Sequence, residues 1–508
     1  MNLSKKLSGV AARHKDKPAV VFENTVYTYA ALDREIARYA SMLVHIGVKV
    51  GDRVAIQLPK RMEFVFLELA VLAVGGIALP LNPEYRPEEV DYFLSDSGSR
   101  FFFTDRERYM RAQSVLARLP ELRTLVVDPS DAQESPSMTW ELERADPDFE
   151  PTYPACGDDV ATIIYTSGTT GRSKGAMLSH KNLISNMEGL HEIWEWSSDD
   201  KLLHALPLFH VHGLFVALHG GLNAGATIIM HEKFAPPRVW ETIEKERCTL
   251  LMGVPTMYQR LVTQWELMDR RPDLRSMRLF VSGSAPLLET LFNRFERETG
   301  FRILERYGMT EAGMIASNRI ELAGRKARSV GYPLPGVRIR VVSPQGVDVP
   351  PREVGEVWIQ GDNVFSGYWG MPEKTAESFH EGWFKTGDLG YLDPADGNRL
   401  YLVGRAKELI ITGGYNVYPK EIEDALEGHP AVKEAAVLGL PHVDFGEQVT
   451  AAVSLTETAG VLPEELISYC KERLAGYKCP KQIFFVEALP RNAMGKLQKN
   501  VLAKQLSA

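Results

Sequence analysis

The 508-residue chain carries 58 Lys and Arg against 66 Asp and Glu, a net charge of -8, with 44% hydrophobic and 24% charged residues. That balance is ordinary for a globular protein, and the absence of basic runs with interleaved aromatics argues against nucleic acid as a partner. Four cysteines, Cys156, Cys248, Cys470 and Cys479, form no CxxC pair and no disulfide framework, which suits a reducing compartment.

The start, MNLSKKLSGVAARHKDKP, is polar and lacks the apolar stretch of a signal peptide. The expected location is therefore the cytoplasm, or an organelle matrix after processing. AALDREIARYASMLVHIG, residues 30 to 47, puts Leu32, Ile36, Leu43 and Ile46 on one stripe and predicts an amphipathic helix, with RVAIQLP following as a strand. The most apolar window, FVFLELAVLAVGGIALPL at 64 to 81, contains Glu68, Gly75, Gly76 and Pro80. It reads as a buried helix, a turn and a strand, so no membrane insertion is expected. Strand-like runs recur at TLVVD, ATIIYT, ATIIMH, TLLMGVP and RLFVSG, separated by helical patterns. This alternation predicts an α/β fold of mainly parallel sheet, with ligands outside the carboxyl ends of the strands.

YTSGTTGRSKG, residues 165 to 175, stands out. It follows the strand-like DDVATIIY and precedes AMLSHKNLISNMEGLHEIW, which reads as a helix. The spacing does not fit a P-loop. Its glycines nevertheless let backbone N–H groups approach a polyphosphate, its hydroxyls donate, and Arg172 and Lys174 offset charge. Taken alone, the composition fits a solvated surface loop equally well.

Beyond about residue 335 the pattern shifts to short strands with Gly and Pro turns: RIRVVSPQG, GEVWIQG and GYLDPADGNRLYLVG. The last hundred or so residues hold their own apolar strands and helices, enough for a small α+β domain. The expected division is a large domain of layered α/β subdomains at 1–404 and a smaller, mobile one at 405–508.

The eleven-residue loop resembles the signature of the adenylate-forming superfamily, which includes acyl-CoA synthetases, luciferases and peptide-synthetase adenylation domains. ERYGMTE (305–311), WFKTGDLG (383–390), GRAKELIITGGYNVYPKEIE and PRNAMGKLQK resemble further motifs of that family, in its order and over essentially the whole chain. The resemblance implies two half-reactions: adenylation of a carboxylate by ATP with Mg²⁺, then transfer of the acyl group to coenzyme A. It assigns phosphate binding to Thr166, Ser167, Gly168, Thr169, Thr170, Gly171, Arg172, Ser173 and Lys174. Gly283, Ser284, Ala285, Tyr307 and Gly308 would border the adenine. Thr310 and Glu311 would sit near the metal and the α-phosphate, and Asp388 and Arg405 at the ribose. Thr166, Lys174, Glu311 and Lys496 would be catalytic, Lys496 in the first step only. Lys407 would be a hinge, and Gly413, Gly414 and Tyr415 would serve the thioester step. Read singly, Asp388 fits a turn cap, and Glu311 and Lys496 fit solvated charges.

For the acyl pocket the family points to the segments around His210, Val211, Ser282, Arg306 and Met309. Arg306 is unusual there, because a buried guanidinium needs an anion or several acceptors. A second substrate carboxylate would supply one, and HALPLFHVHGLF, LERYGMTE and LPRNAMGK resemble malonyl-CoA synthetases. Malonate or methylmalonate is thus the leading substrate, and fatty or aromatic monocarboxylates are the alternative. Two structural readings also stand: Arg306 paired with Glu305 or another acid, and His210 with His212 as metal ligands on one strand face, although no third ligand is evident. A nucleotide-binding regulatory module is the reading from another class. Asn492 stands where many relatives carry threonine.

Overall fold

The computed structural model describes residues 2–127, 137–151, 153, 156–166, 173–412, 415–442, 445–456, 460–492 and 496–506. The helix Tyr29–His45 starts where the Thr28 side chain accepts from the Ala31 amide, and it buries Leu32 and Leu43. The apolar window forms the helix Met62–Ala73, buried at every position but Glu63, then a turn through Gly75 at φ +77° and the strand Ile77–Pro80. No helix among the described residues is long and apolar enough to cross a membrane.

Among the described residues the strands form three sheets, of fourteen, seven and five. One half of the largest is parallel. Its strands lie in the order Leu304–Met309, Leu279–Ser282, Leu250–Gly253, Lys201–His204, Thr227–Met230 and Pro18–Phe22. Their carboxyl ends carry His204, Ser282 and Arg306 to Met309. The other half is antiparallel, against the expectation of mainly parallel sheet. Gly313–Ser317 folds back on Leu304–Met309, and the sheet continues through Ser329–Pro333, Arg399–Arg405, Trp383–Asp393, Gly355–Gln360 and Arg338–Val342. Short turns suffice to link such strands, which is what the Gly- and Pro-punctuated sequence there reflects.

The seven-stranded sheet corrects the reading of the glycine-rich stretch. Val160–Thr166 is followed by a second strand, Lys174–Ser179, antiparallel to it, so the stretch joins two strands and not a strand to a helix. The helix begins only at His180, after a capping box in which Ser179 and Asn182 serve each other's backbone amides. Helical periodicity in LISNMEGLHEIW masked the strand before the cap.

A five-stranded sheet follows, with Gln482–Phe485 parallel to Gly446–Leu455 and the remaining pairs antiparallel. Ile422, Leu426, Val437, Val453 and Leu466 form its apolar core, whereas the buried residues of the main core end at Leu400. The molecule is thus α/β, with a large N-terminal domain and a smaller C-terminal one.

Candidate active site

Register places the first charged pair. Tyr368 pairs with Ala176, two residues beyond Lys174, so Lys174 is its diagonal neighbour on the same face. The Lys174 ammonium lies 4.9 Å from the centre of the Tyr368 ring. The Tyr368 hydroxyl donates to Glu311 Oε1 at 3.0 Å. Glu311 is buried, and burial raises its pKa against that bond. Burial lowers the pKa of Lys174, helped by nearby Lys374 and Lys407 and opposed by Glu311. Thr166 closes the last rung opposite Lys174, its Oγ1 donating to the Lys174 carbonyl at 3.4 Å.

The second pair is also set by register. Asp388 lies within the strand Trp383–Asp393, directly opposite Arg405, so it is no turn cap. Arg405 Nε is 3.0 Å from Asp388 Oδ1, and the Tyr307 hydroxyl donates to Oδ2 at 2.5 Å. Lys496 joins them from the C-terminal domain. Its residue surface is exposed, yet its ammonium end is desolvated, which lowers its pKa. Arg405 adds to that effect, and Asp388, Glu408 and Glu311 oppose it. Asn492 shapes the loop: its amide donates to the Lys496 carbonyl at 2.9 Å, and its Oδ1 accepts from the Lys496 amide at 3.0 Å. Glu311 raises the pKa of both Lys174 and Lys496, which come from the large domain and the C-terminal one.

Arg306 sits apart in a drier setting. It is 3% exposed, and its Nε and Nη2 have no hydrogen-bond partner. Glu305 does not take it up. One Glu305 carboxyl oxygen accepts from the Leu287 amide at 3.0 Å, the other has no partner, and burial pushes the group up to about 8, so it is neutral at pH 7. The imidazoles nearby carry no charge either, because burial pushes His210 down to about 4 and also pushes His212 well down, with Arg306 adding to the latter. Burial brings Arg306 itself to about 9, which leaves it protonated at pH 7. It is a buried cation without a counter-ion among the described residues, near enough to His212 to lower the pKa of that imidazole, whose Nε2 has no partner.

His212 opens a π-helical turn, His212–His219, and does not share a strand face with His210. Such turns are frequent at functional sites. His212 Nδ1 lies 3.2 Å from Ser284 Oγ, and no group of three His, Cys, Asp or Glu among the described residues could hold a metal. Val211 is buried, Met309, Thr310, Gly308 and Ala285 are half-buried, and Ser284 is exposed. Lys407 lies in the short turn Ala406–Glu408, and Tyr415 stacks on Tyr477 at 4.6 Å. Ser173 is held by a hydrogen bond from the Tyr92 hydroxyl to its carbonyl. Ser167, Gly168, Thr169, Thr170, Gly171, Arg172, Gly413 and Gly414 lie outside the described residues.

The profile of the AMP-binding enzyme family matches residues 7–369, and that of the AMP-binding enzyme C-terminal domain matches residues 421–496. The chain belongs to the AMP-binding enzyme family. This AMP-binding enzyme is 38% identical over 491 residues to a feruloyl-CoA synthase of Amycolatopsis sp, covering 96% of this chain and 95% of that protein. It is 36% identical over 529 residues to the mitochondrial malonate–CoA ligase ACSF3 of Mus musculus, covering 97% and 89%. The crystal structure of ATP-bound MatB from Rhodopseudomonas palustris matches with a TM-score of 0.93 at 41% identity, covering 99% of each chain, and apo MatB matches with 0.82. The protein is an acyl-CoA ligase that works through an adenylate, with a small-molecule carboxylate, ATP and CoA as substrates.

Two participants in this AMP-binding enzyme's site escaped the motif reading. Tyr368 joins Lys174 to Glu311 but sits in a two-residue strand with no pattern of its own. Lys60 places its ammonium 2.8 Å from both Nδ1 and the carbonyl of His204, whose Nε2 is 2.7 Å from the Gly213 carbonyl. That chain anchors the turn carrying His212. A lone lysine in LPKRM gives no signal of it.

Proposed function

We propose that this AMP-binding enzyme forms malonyl-CoA, or methylmalonyl-CoA, from the free diacid. The observation that carries the reading is the buried Arg306 with two unsatisfied N–H groups and only neutral residues about it. A carboxylate bound side-on across Nε and Nη2 satisfies both. The second carboxylate of the same molecule then remains free to react. Similarity to the mouse malonate–CoA ligase supports this choice.

In the first step that free carboxylate attacks the α-phosphorus of ATP and pyrophosphate leaves. In the second, the thiol sulfur of CoA attacks the acyl carbon, AMP leaves, and the thiol proton passes to solvent. The first transition state spreads negative charge around phosphorus, so positioned cations and donors do most of the work. Lys174 and the segment from Thr166 to Ser173 hold the β- and γ-phosphates, and Lys496 reaches the α-phosphate in this step alone. Asp388 and Arg405 take the ribose, and Gly283 to Ala285 with Tyr307 and Gly308 border the adenine. Glu311 fits a Mg²⁺ ligand: it is a buried carboxylate bonded by one neutral hydroxyl, beside Thr310. Mg²⁺ bound there supplies positive charge to the phosphates. Val211 and Met309 flank the substrate's α-carbon. The domain boundary falls at 404/405, Lys407 is the hinge, and Gly413, Gly414 and Tyr415 serve the thiol step after the small domain turns.

The feruloyl-CoA synthase relative favours a second reading, an aromatic monocarboxylate. Thioester formation with malonate, methylmalonate, acetate, octanoate and coumarate separates the two. The diacids are expected to lead, and coumarate or octanoate far above malonate overturns the Arg306 argument.

A further inference from the structure

Hydrogen bonds do not hold the Arg306 guanidinium, since Nε and Nη2 have no partner. Shape does. A Cβ built on Gly283 would lie 2.3 Å from Arg306 Cζ, 2.4 Å from Nη1 and 2.5 Å from Nε. Three nearly equal distances put that methyl over the face of the planar group. The guanidinium therefore lies flat on the bare Cα of Gly283, whose amide is tied to the Gly253 carbonyl at the neighbouring strand end. The backbone of Gly283 is outside the left-handed region, so its φ alone would accept an alanine. Gly308 differs, because a Cβ there would meet the backbone carbonyl of Gly313 at 2.2 Å. At Gly283 the three nearest atoms all belong to the Arg306 side chain.

We propose that Gly283 is a specificity-determining position, resting on the dicarboxylate reading above. Its missing side chain is the seat that keeps Arg306 flat, with the Nε–Nη2 edge free to receive a second carboxylate. Any larger residue at 283 lifts the guanidinium by the ångström or so that a normal contact demands, and no hydrogen bond from Nε or Nη2 holds it back. The residue acts through Arg306 and is a positioning residue.

Gly283→Ala, Arg306→Met and the double variant test this with two readouts: malonate kcat and KM by AMP release, and ATP affinity by direct binding. Gly283→Ala should raise the malonate KM about 10–100-fold, the range for losing charge-assisted hydrogen bonds. Because Gly283 also borders the proposed adenine site, some loss of ATP affinity is expected, but the rise in malonate KM should exceed it at least about tenfold, and the substitution should add less than about threefold to the malonate loss already caused by Arg306→Met. An unchanged malonate KM overturns the proposal. So does a matching loss of ATP affinity, which would assign the glycine to the adenine, or an equal cost with and without Arg306. A variant that fails to fold also overturns it, because only a side chain is asked to move. If Arg306→Met leaves malonate turnover intact, the dicarboxylate reading fails first. If Arg306→Met is defective and Gly283→Ala is not, the seat alone is wrong.

Discussion

Replacing Arg306 by methionine should act in opposite directions on activity and on stability. Methionine keeps the length of the side chain and removes its charge and donors. A carboxylate held side-on makes two charge-assisted hydrogen bonds worth about 1.5–3 kcal/mol each, so the malonate kcat/KM should fall by roughly 10²–10⁴-fold. In the unliganded enzyme the same guanidinium is 3% exposed with two unsatisfied donors. Its removal should therefore stabilise the empty fold by about 1–3 kcal/mol. AMP release with malonate and with propionate gives the first number, and denaturant unfolding without ligand gives the second. Equal losses on both acids, or an unliganded variant weaker than the parent, would refute the argument that this cation is kept for a substrate anion.

Lys496→Ala should lose roughly 3 kcal/mol or more of transition-state stabilisation in adenylation, measured by pyrophosphate release, while thioester formation from preformed acyl-adenylate is spared. Tyr368→Phe keeps the ring beside Lys174 and removes the hydrogen bond that opposes the burial-driven rise of the Glu311 pKa. The acid limb of its kcat/KM profile for ATP should move to higher pH, and an unmoved limb would contradict the assignment. Glu305 keeps its proton up to about 8 when folded, from a usual 4.5, so its contribution to stability falls as pH rises through that window. Glu305→Gln has no proton to lose. Unfolding at a series of pH values should show its advantage over the parent growing from about pH 5 to about pH 8, by on the order of 4 kcal/mol, and a constant difference would contradict the assignment.

The sequence carried the alternation of the first domain because a core helix such as Met62–Ala73 and strands such as Leu250–Gly253 are continuous apolar runs bounded by Gly and Pro. It misplaced the strand Lys174–Ser179, where the helix behind it dominates the periodicity and only the Ser179 cap marks the change. The π-helical turn His212–His219 was unreadable for a related reason, since every residue in it is buried and no polar face reveals its period. At the site, Asp388 and Lys496 could be proposed from motifs. Their meeting could not, because it depends on how the C-terminal domain carrying Lys496 lies against the strand Trp383–Asp393. Arg306 was legible as an oddity of composition, but its lack of a partner is a fact of packing. Tyr368 and Lys60 were invisible, being single residues whose neighbours come from distant segments.

Arg405 ends its strand against Asp388, and the chain then passes through Ala406–Glu408 into the sheet of the small domain. The residue that would grip the nucleotide's sugar is therefore also the last fixed point before the neck. With the roles proposed above, torque at that neck would be felt first by the Arg405–Asp388 ion pair, and an occupied ribose subsite would stiffen the same pair. Reorientation of the small domain and retention of AMP would then be coupled mechanically through one side chain, with no relay between them.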